Sequence, residues 1–258
     1  MVPMRLPCRP VVLVFAGLDP SGGAGLAADI LAIAAQGAHA LPVITALTVQ
    51  DNDRVFAVEP VAPELLRRQA QALIDKMAIL AVKIGIPGSA ANAAVIAQLI
   101  AQLRLARPDL PVVLDPVLAS GHGDVLSRDD AVLALAPLLP LTTVIVPNGP
   151  EALALGGVEN LRAQGCQHVL LTGGHGDGEA VLNRWFDAEG GEREWRWPRL
   201  PGEFHGSGCT LASAIAARLA LGQALPEALD LAQSYCHATL ADAYAIAPGQ
   251  LMPQRFIQ

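Results

Sequence analysis

Two glycine-rich runs carry the residue types with which a backbone holds phosphate. The first is Gly17-Leu18-Asp19-Pro20-Ser21-Gly22-Gly23-Ala24-Gly25, with four glycines in nine residues. Glycine lets the main chain approach a ligand closely and takes positive φ where a turn demands it. The run is not a dinucleotide fingerprint, because G-x-G-x-x-G is absent, nor a Walker loop, because no Gly-Lys-Ser/Thr follows. The second is His205-Gly206-Ser207-Gly208-Cys209-Thr210, directly before the helical pattern Leu211–Leu221. At a helix start, the N–H groups of Gly206, Ser207 and Gly208 can converge on one concavity carrying roughly half a positive charge. That field suits developing phosphoryl charge. It is also expected to lower the pKa of Cys209 below the free value of about 8.5, giving a thiolate able to take a proton from a substrate hydroxyl. Each run has a plainer reading as well: a tight strand-to-helix turn, and a buried cysteine beside a helix cap.

Oxygen ligands recur at the ends of apolar runs. Asp115-Pro116-Val117 follows Val112–Leu114, and Pro147-Asn148-Gly149-Pro150-Glu151 follows Val144–Val146. An amide and carboxylates so placed can share a metal–phosphate shell, since Mg²⁺ prefers oxygen ligands and retained waters. The plainer reading is stronger here, since Pro150 with Glu151 also makes an ordinary helix start. Lys83 is a charge inside the apolar run Val82–Ile84; buried lysines need a partner, so it is expected to meet a carboxylate and to serve as structural support. Gly173-Gly174-His175-Gly176-Asp177-Gly178 is a further phosphate-approaching loop, in which His175 reads as a loop residue. His39, His122, His168 and His237 are scattered and receive no role.

The elements that must position these residues follow a regular rhythm. Val11–Phe15, Val43–Thr48, Val82–Ile84, Val112–Leu114, Val144–Val146 and Val169–Leu171 read as buried strands. Between them lie helical patterns such as Leu26–Gln36, Pro63–Lys76 and Ala90–Leu105, and two more, Cys209–Leu221 and Pro226–Tyr244, close the chain. Strands that are apolar throughout and separated by helices indicate a mostly parallel sheet covered on both faces. Ala180–Trp197 alternates polar and apolar around Glu189-Gly190-Gly191 and reads as an edge hairpin. The order of the strands does not follow from the pattern.

The bulk numbers agree. With 258 residues, 52% hydrophobic and 16% charged, the chain can build a sizeable α/β core. No linker, low-complexity tract or repeat divides it, so a single domain is expected over 1–258, with its core at about 11–245. The net charge of −7 argues against a nucleic-acid partner. Four dispersed cysteines form no C-x-x-C pair and suit reduced thiols in a cytoplasm. Arg5 and Arg9 precede the short run Val11–Ala16, which lacks a signal-peptide cleavage pattern and is too short for a membrane span, as is the Pro-split stretch Ala131–Pro147.

Taken in order, A-G-x-D-P-S-G-G-A-G-x-x-A-D (from Ala16), V-I-T-A-L-x-x-Q (from Val43), K-I-G (Lys83), D-P-V (Asp115), P-N-x-P-E (Pro147), G-G-H (Gly173) and H-G-S-G-C-T (His205) resemble the hydroxymethylpyrimidine and phosphomethylpyrimidine kinases. The resemblance covers nearly the whole chain. It implies a three-layer α/β/α ribokinase-like fold, a homodimer, and Mg·ATP as phosphoryl donor to a pyrimidine of thiamine biosynthesis. It also implies pyrimidine contacts by Gly17, Asp29, Gln50 and Ile86, an anion hole at Gly206, Ser207 and Gly208, and Cys209 in the place of the catalytic base. Asn148, Thr172 and Gly174 fall at nucleotide positions, and Asp115 and Glu151 at metal positions. The chain departs from the pattern at several points. Thr172 stands where a lysine is usual, Ile86 replaces a methionine, Leu18 a threonine, and Gln50-Asp51-Asn52 a Gln-Asn-Thr. Gly121-His122-Gly123-Asp124 and Pro248-Gly249-Gln250 also differ. Two alternatives stand beside this reading: a pyridoxal kinase acting on a similar hydroxymethyl ring, and a non-catalytic pyrimidine-binding protein.

Overall fold

Six apolar strands form the parallel centre of one nine-stranded sheet in the computed structural model, which describes residues 8–119, 122–124, 126, 129–176 and 178–256. Arg5, Gly121 and Asp177 lie outside the described residues. The chain runs β1 (Val11–Leu18), α1 (Gly25–Ala35), β2 (His39–Gln50), β3 (Val55–Pro60), α2 (Pro63–Ile74), β4 (Ala81–Ile84), α3 (Ala90–Ala106) and β5 (Val112–Leu114). It continues with α4 (Ala131–Leu135), β6 (Val144–Ile145), α5 (Gly149–Ala154), α6 (Gly157–Ala163) and β7 (His168–Leu171). The last elements are β8 (Ala180–Phe186), β9 (Glu192–Pro198), α7 (Ser207–Ala220) and α8 (Leu225–Ala241).

Strand order is β3-β2-β1-β4-β5-β6-β7-β8-β9. The pairs from β2 through β7 are parallel; β3 at one edge and the β8–β9 hairpin at the other are antiparallel. Alternate side chains of each buried strand face opposite layers. Leu13 and Phe15 pack with Leu66, Ile96 and Leu99 of α2 and α3, whereas Val12, Val14 and Ala16 pack with Leu26, Ile33 and Ile215 of α1 and α7. Both faces are thus covered, which is why the strands carry no polar alternation. Proline at the first turn opens α2, α5 and α8, where its missing N–H costs no helical bond.

Two parts differ from the sequence expectation. β2 is longer than Val43–Thr48, and its end pairs with β3, a strand the sequence did not announce because Phe56 and Glu59 face solvent beside the charged turn Asp51–Arg54. The core also extends past 245: Met252 and Arg255 are 2% and 3% exposed, so the C-terminal segment is packed against the body. No helix among the described residues is long and apolar enough to cross a membrane.

Candidate functional site

The chain leaves β1 toward β2 on one side and returns to β4 on the other, so the strand order reverses between β1 and β4. Loops at the carboxyl ends of strands diverge there and leave a crevice. A cleft of about 560 Å³ opens at that edge. Gly17, Gln50, Ile86, Asp115, Asn148 and Glu151 line it, as do Thr172, Gly174 and the run Gly206–Cys209. Residues as far apart in sequence as Gly17 and Cys209 therefore meet in one cavity.

Asp29 does not line the cleft. It sits on the sheet-facing side of α1 with 0% exposure, 2.9 Å from Lys83 Nζ, and accepts a hydrogen bond from Ser213 Oγ at 2.7 Å. The expectation that Asp29 touches the pyrimidine is therefore corrected: a carboxylate one turn inside α1 points down at the sheet and holds the lysine of β4. Lys83 itself borders the cleft floor, with Asp115 Oδ2 at 4.0 Å on its other side. Burial opposes its charge, but Asp29 and Asp115 outweigh that and raise its pKa above the ordinary lysine value.

The two glycine loops are clamped to each other. Asp19, 3% exposed, accepts from Ser21 N (2.7 Å), Ser21 Oγ (2.9 Å), Ala24 N (2.7 Å) and His205 Nε2 (2.8 Å). Burial works against its charge, yet the bonds from His205, Ser21 and Ala24 hold its carboxyl below the usual range. Contact is so close that a Cβ at Gly23 would lie 2.1 Å from His205 Cδ2, and one at Gly206 (φ +72) would lie 2.2 Å from Gly23 O. Only glycine fits either position. The sequence contained both partners of the Asp19–His205 clamp but no signal that they pair.

Past Gly206 the chain enters the first turn of α7, where N–H groups have no preceding carbonyl to bond. Cys209 lies in that turn, but the expected thiolate is corrected. Burial, then the Asp115 and Asp29 carboxylates, push its pKa up to about 12, against the opposing pull of Lys83 and the Gly25 N–H. The helix-end field is outweighed, and the thiol stays neutral beside Asp115, close enough to oppose the rise in that carboxyl's pKa. Asp115 is itself raised, by burial first and by Asp29, although Lys83 and the thiol oppose this. Its buried Oδ2 has no hydrogen-bond partner among the described residues.

Across the cleft, Asn148 caps α5: its Oδ1 accepts from Glu151 N and its N donates to Glu151 Oε2, both at 2.9 Å. Glu151 is pushed up to about 8 by burial and by Asp115, with the N–H groups of Asn148 and Leu118 opposing. A carboxylate whose charge is disfavoured by a second one beside it makes a pair that fits a divalent cation. Among the described residues no group of three His, Cys, Asp or Glu could hold a metal alone. The donor set therefore suits a cation that brings phosphate oxygens and waters with it, as Mg²⁺ does.

A pH dependence follows. Glu151 binds its proton more tightly folded (about 8) than at its ordinary value of 4.5, so its contribution is fully present at low pH and lost as pH rises between those values. Glu151→Gln keeps the capping pattern, since Gln serves at that position too. Without added metal, the variant is expected to raise Tm at pH 8.5 and to leave it nearly unchanged at pH 5. An equal shift at both pH values would contradict the raised pKa.

The remaining rim is tied together from distant segments. Asn52 Nδ2 donates to Pro248 O and Gln250 O at 3.1 Å each, and Arg54 pairs with Asp124 at 2.6 Å. Gln50 Nε2 donates to Thr48 Oγ1 at 2.7 Å. Thr172 N donates to Pro147 O at 2.9 Å, and Gly174 O accepts from Arg199 Nη1 at 2.7 Å.

A sequence model described as phosphomethylpyrimidine kinase matches residues 19–253. The chain is 37% identical to a hydroxymethylpyrimidine/phosphomethylpyrimidine kinase of Streptomyces coelicolor, over 93% of this chain and 92% of that one. In structure it resembles a phosphomethylpyrimidine kinase of Clostridium difficile with a TM-score of 0.74 and 32% identity, covering 88% of this chain and 97% of that one. It also resembles a Bacillus subtilis pyridoxal kinase, solved as an ADP complex, with a TM-score of 0.85 and 26% identity over 96% and 98% of the two chains. With the sheet order, the clamped glycine loops and the paired carboxylates all in place, the chain belongs to the phosphomethylpyrimidine kinase family.

Proposed function

We propose that the protein transfers the γ-phosphoryl group of ATP to 4-amino-5-hydroxymethyl-2-methylpyrimidine, its monophosphate, or both, in thiamine biosynthesis. The observation that carries this reading is the meeting of three features in one cleft. They are the open N–H groups at the start of α7, the Cys209 thiol, and a buried Asp115 oxygen without a hydrogen-bond partner. In this reading Gly17, Gln50 and Ile86 hold the pyrimidine, while Asn148, Thr172 and Gly174 border the nucleotide. Asp115 and Glu151 would hold Mg²⁺, which would supply positive charge against the transferring phosphate.

The chain's own groups then have defined tasks. The amides of Gly206, Ser207 and Gly208 receive the transferring phosphoryl oxygens. The acceptor oxygen, the hydroxymethyl of the pyrimidine or a phosphate oxygen of its monophosphate, attacks the γ-phosphorus as the bond to the β–γ bridging oxygen breaks and ADP leaves; a hydroxymethyl proton passes to Cys209 Sγ as the thiol proton passes to Asp115. A thiol with pKa near 12 is too weakly acidic to act alone, but as a relay it needs no prior ionisation. Cys209→Ala is expected to lower kcat by about 10²-fold, whereas Cys209→Ser, which can relay through its hydroxyl, stays within about tenfold of wild type. The kcat/KM profile should be flat between pH 8 and 10. A tenfold rise per pH unit there would instead identify a thiolate base.

The deciding assay incubates the protein with Mg·ATP and the pyrimidine, its monophosphate or pyridoxal, and compares kcat/KM. Turnover of neither pyrimidine sinks the proposal; preference for pyridoxal would move the chain to that activity, and binding without turnover would make it a pyrimidine-binding protein. A cytoplasmic, single-domain homodimer belongs to the same reading. Leu47, Val49 and Phe56 are exposed at the β2–β3 edge and offer a face for a second copy, a point sedimentation can check.

A further inference from the structure

Behind the first turn of α7, on the side away from the cleft, lies a buried cation. Arg255 is 3% exposed. Its Nε donates to Thr210 Oγ1 at 3.0 Å, and its Nη2 donates to Gly23 O and, at 3.5 Å, to His205 O. The segment that carries it is fastened to α8, where Tyr235 Oη donates to Arg255 O at 2.8 Å and Gln254 N to Thr239 O at 2.9 Å. Taking a guanidinium out of water is unfavourable unless a carboxylate compensates. Among the described residues no carboxylate lies within salt-bridge distance of Arg255; its contacts are two carbonyls and a hydroxyl. Burial pulls its pKa below the ordinary arginine value, with Cys209, Tyr235 and Asp29 opposing at longer range.

We infer that Arg255 is a positioning residue for the phosphoryl-binding turn, fixing the direction of the Gly206 amide and adding positive potential behind it. It acts in two ways. First, His205 C=O and Gly206 N–H share one planar trans peptide and point in opposite directions. By drawing the carbonyl backward, the guanidinium turns the amide toward the cleft that Gly206 lines. The same side chain holds Gly23, so the two glycine loops are braced from behind as well as by the Asp19–His205 clamp. Second, a charge with no carboxylate beside it keeps its field, and the nearest cavity open to an anion is the one at Gly206–Cys209.

The inference rests on the reading of this turn as the phosphoryl site, and its test is separable from that reading. Cys209 borders the cleft and can report the local potential through its rates of alkylation by anionic iodoacetate and neutral iodoacetamide, resolved from the other cysteines by peptide mapping. A structural disturbance changes both rates together; a change of potential changes their ratio. In Arg255→Met the iodoacetate/iodoacetamide ratio is expected to fall about fivefold, and in Arg255→Lys, which keeps the charge, to stay within about twofold. Should the Met variant fail to fold, Arg255→Gln, which keeps donors but no charge, serves instead and is expected to show the same fall. In ATP turnover, kcat of the uncharged variant should drop about 30-fold while the pyrimidine KM changes less than about threefold. An unchanged ratio in a folded uncharged variant overturns the role of Arg255, whatever the turnover. A lowered ratio in a protein that turns over no ATP would leave that role intact and remove the kinase reading.

Discussion

Lys83→Met lowers the free energy of unfolding by about 3–5 kcal/mol, the usual consequence of removing one partner from a buried ion pair. The lysine is 0% exposed, with Asp29 Oδ1 at 2.9 Å and Asp115 Oδ2 at 4.0 Å. Methionine fills the space but leaves Asp29 without a cation, under α1 and out of reach of water. Urea unfolding should show a lower midpoint with an unchanged slope, because the folded surface is the same. The deficit has a predictable pH dependence. An orphaned buried carboxylate has a raised folded pKa, so stability is lost as pH rises through the range above its unfolded value. The variant should therefore be closest to wild type near pH 5 and furthest from it near pH 8. A second substitution, Asp29→Leu, removes the orphan and should recover most of the loss, giving a large coupling energy in the cycle. A deficit below about 1 kcal/mol for Lys83→Met would mean that water reaches Asp29 and that the pair is not a buried one.

This pair also marks the boundary of what the sequence discloses. The parallel strands were legible because both of their faces are buried, so Val11–Phe15 and Val112–Leu114 are apolar at every position. The glycine loops were legible because glycine at a strand end has few other reasons to cluster. That Lys83 needs a carboxylate followed from its surroundings, but which one did not. Asp29 is 54 positions away in sequence, and its other partner, Ser213, is 184 positions from it. A local motif places Asp29 near the ligand loop; only the rotation of α1 decides that it faces the sheet instead. The ionisation of Cys209 was misread for a related reason. A helix start is visible in sequence, whereas the burial and the two carboxylates that overrule its field are supplied by β5 and α1 through the fold. β3 was hidden because an exposed edge strand has no fully buried face to show in sequence: Phe56 and Glu59 face solvent and none of its residues is buried. Arg255 lies in the last residues of the chain, 232 positions from the Gly23 carbonyl it holds, and a lone arginine near a terminus carries no pattern at all.

Asp115→Asn has the largest expected effect on catalysis, about a 10³-fold loss in kcat, and should cost little or no stability. Both halves follow from the same environment. Asp115 is 3% exposed, its Oδ2 lacks a hydrogen-bond partner, and its charge is opposed by burial and by Asp29. It also raises both Glu151 and Cys209. Asparagine has the same shape without the charge, so the folded state is relieved of that repulsion while Lys83 keeps its closer partner, Asp29. A group that the folded state holds under such strain is one retained for function at a cost in stability. Removing the carboxylate takes away the end point of the proton relay and half of the charge offered to a cation, and general-base losses alone reach 10²–10⁴-fold. Three measurements on one variant bear on this. Turnover should fall by about three orders of magnitude, Tm should hold or rise at pH 8, and the pH at which Cys209 becomes alkylatable should move down, since a carboxylate that disfavoured its thiolate is gone. A collapse in Tm would show Asp115 to be a structural counter-charge of Lys83. A kcat within about threefold of wild type would place the proton elsewhere. The two outcomes separate the roles because Lys83 senses Asp115 from below the cleft, whereas phosphate and substrate would meet it from above.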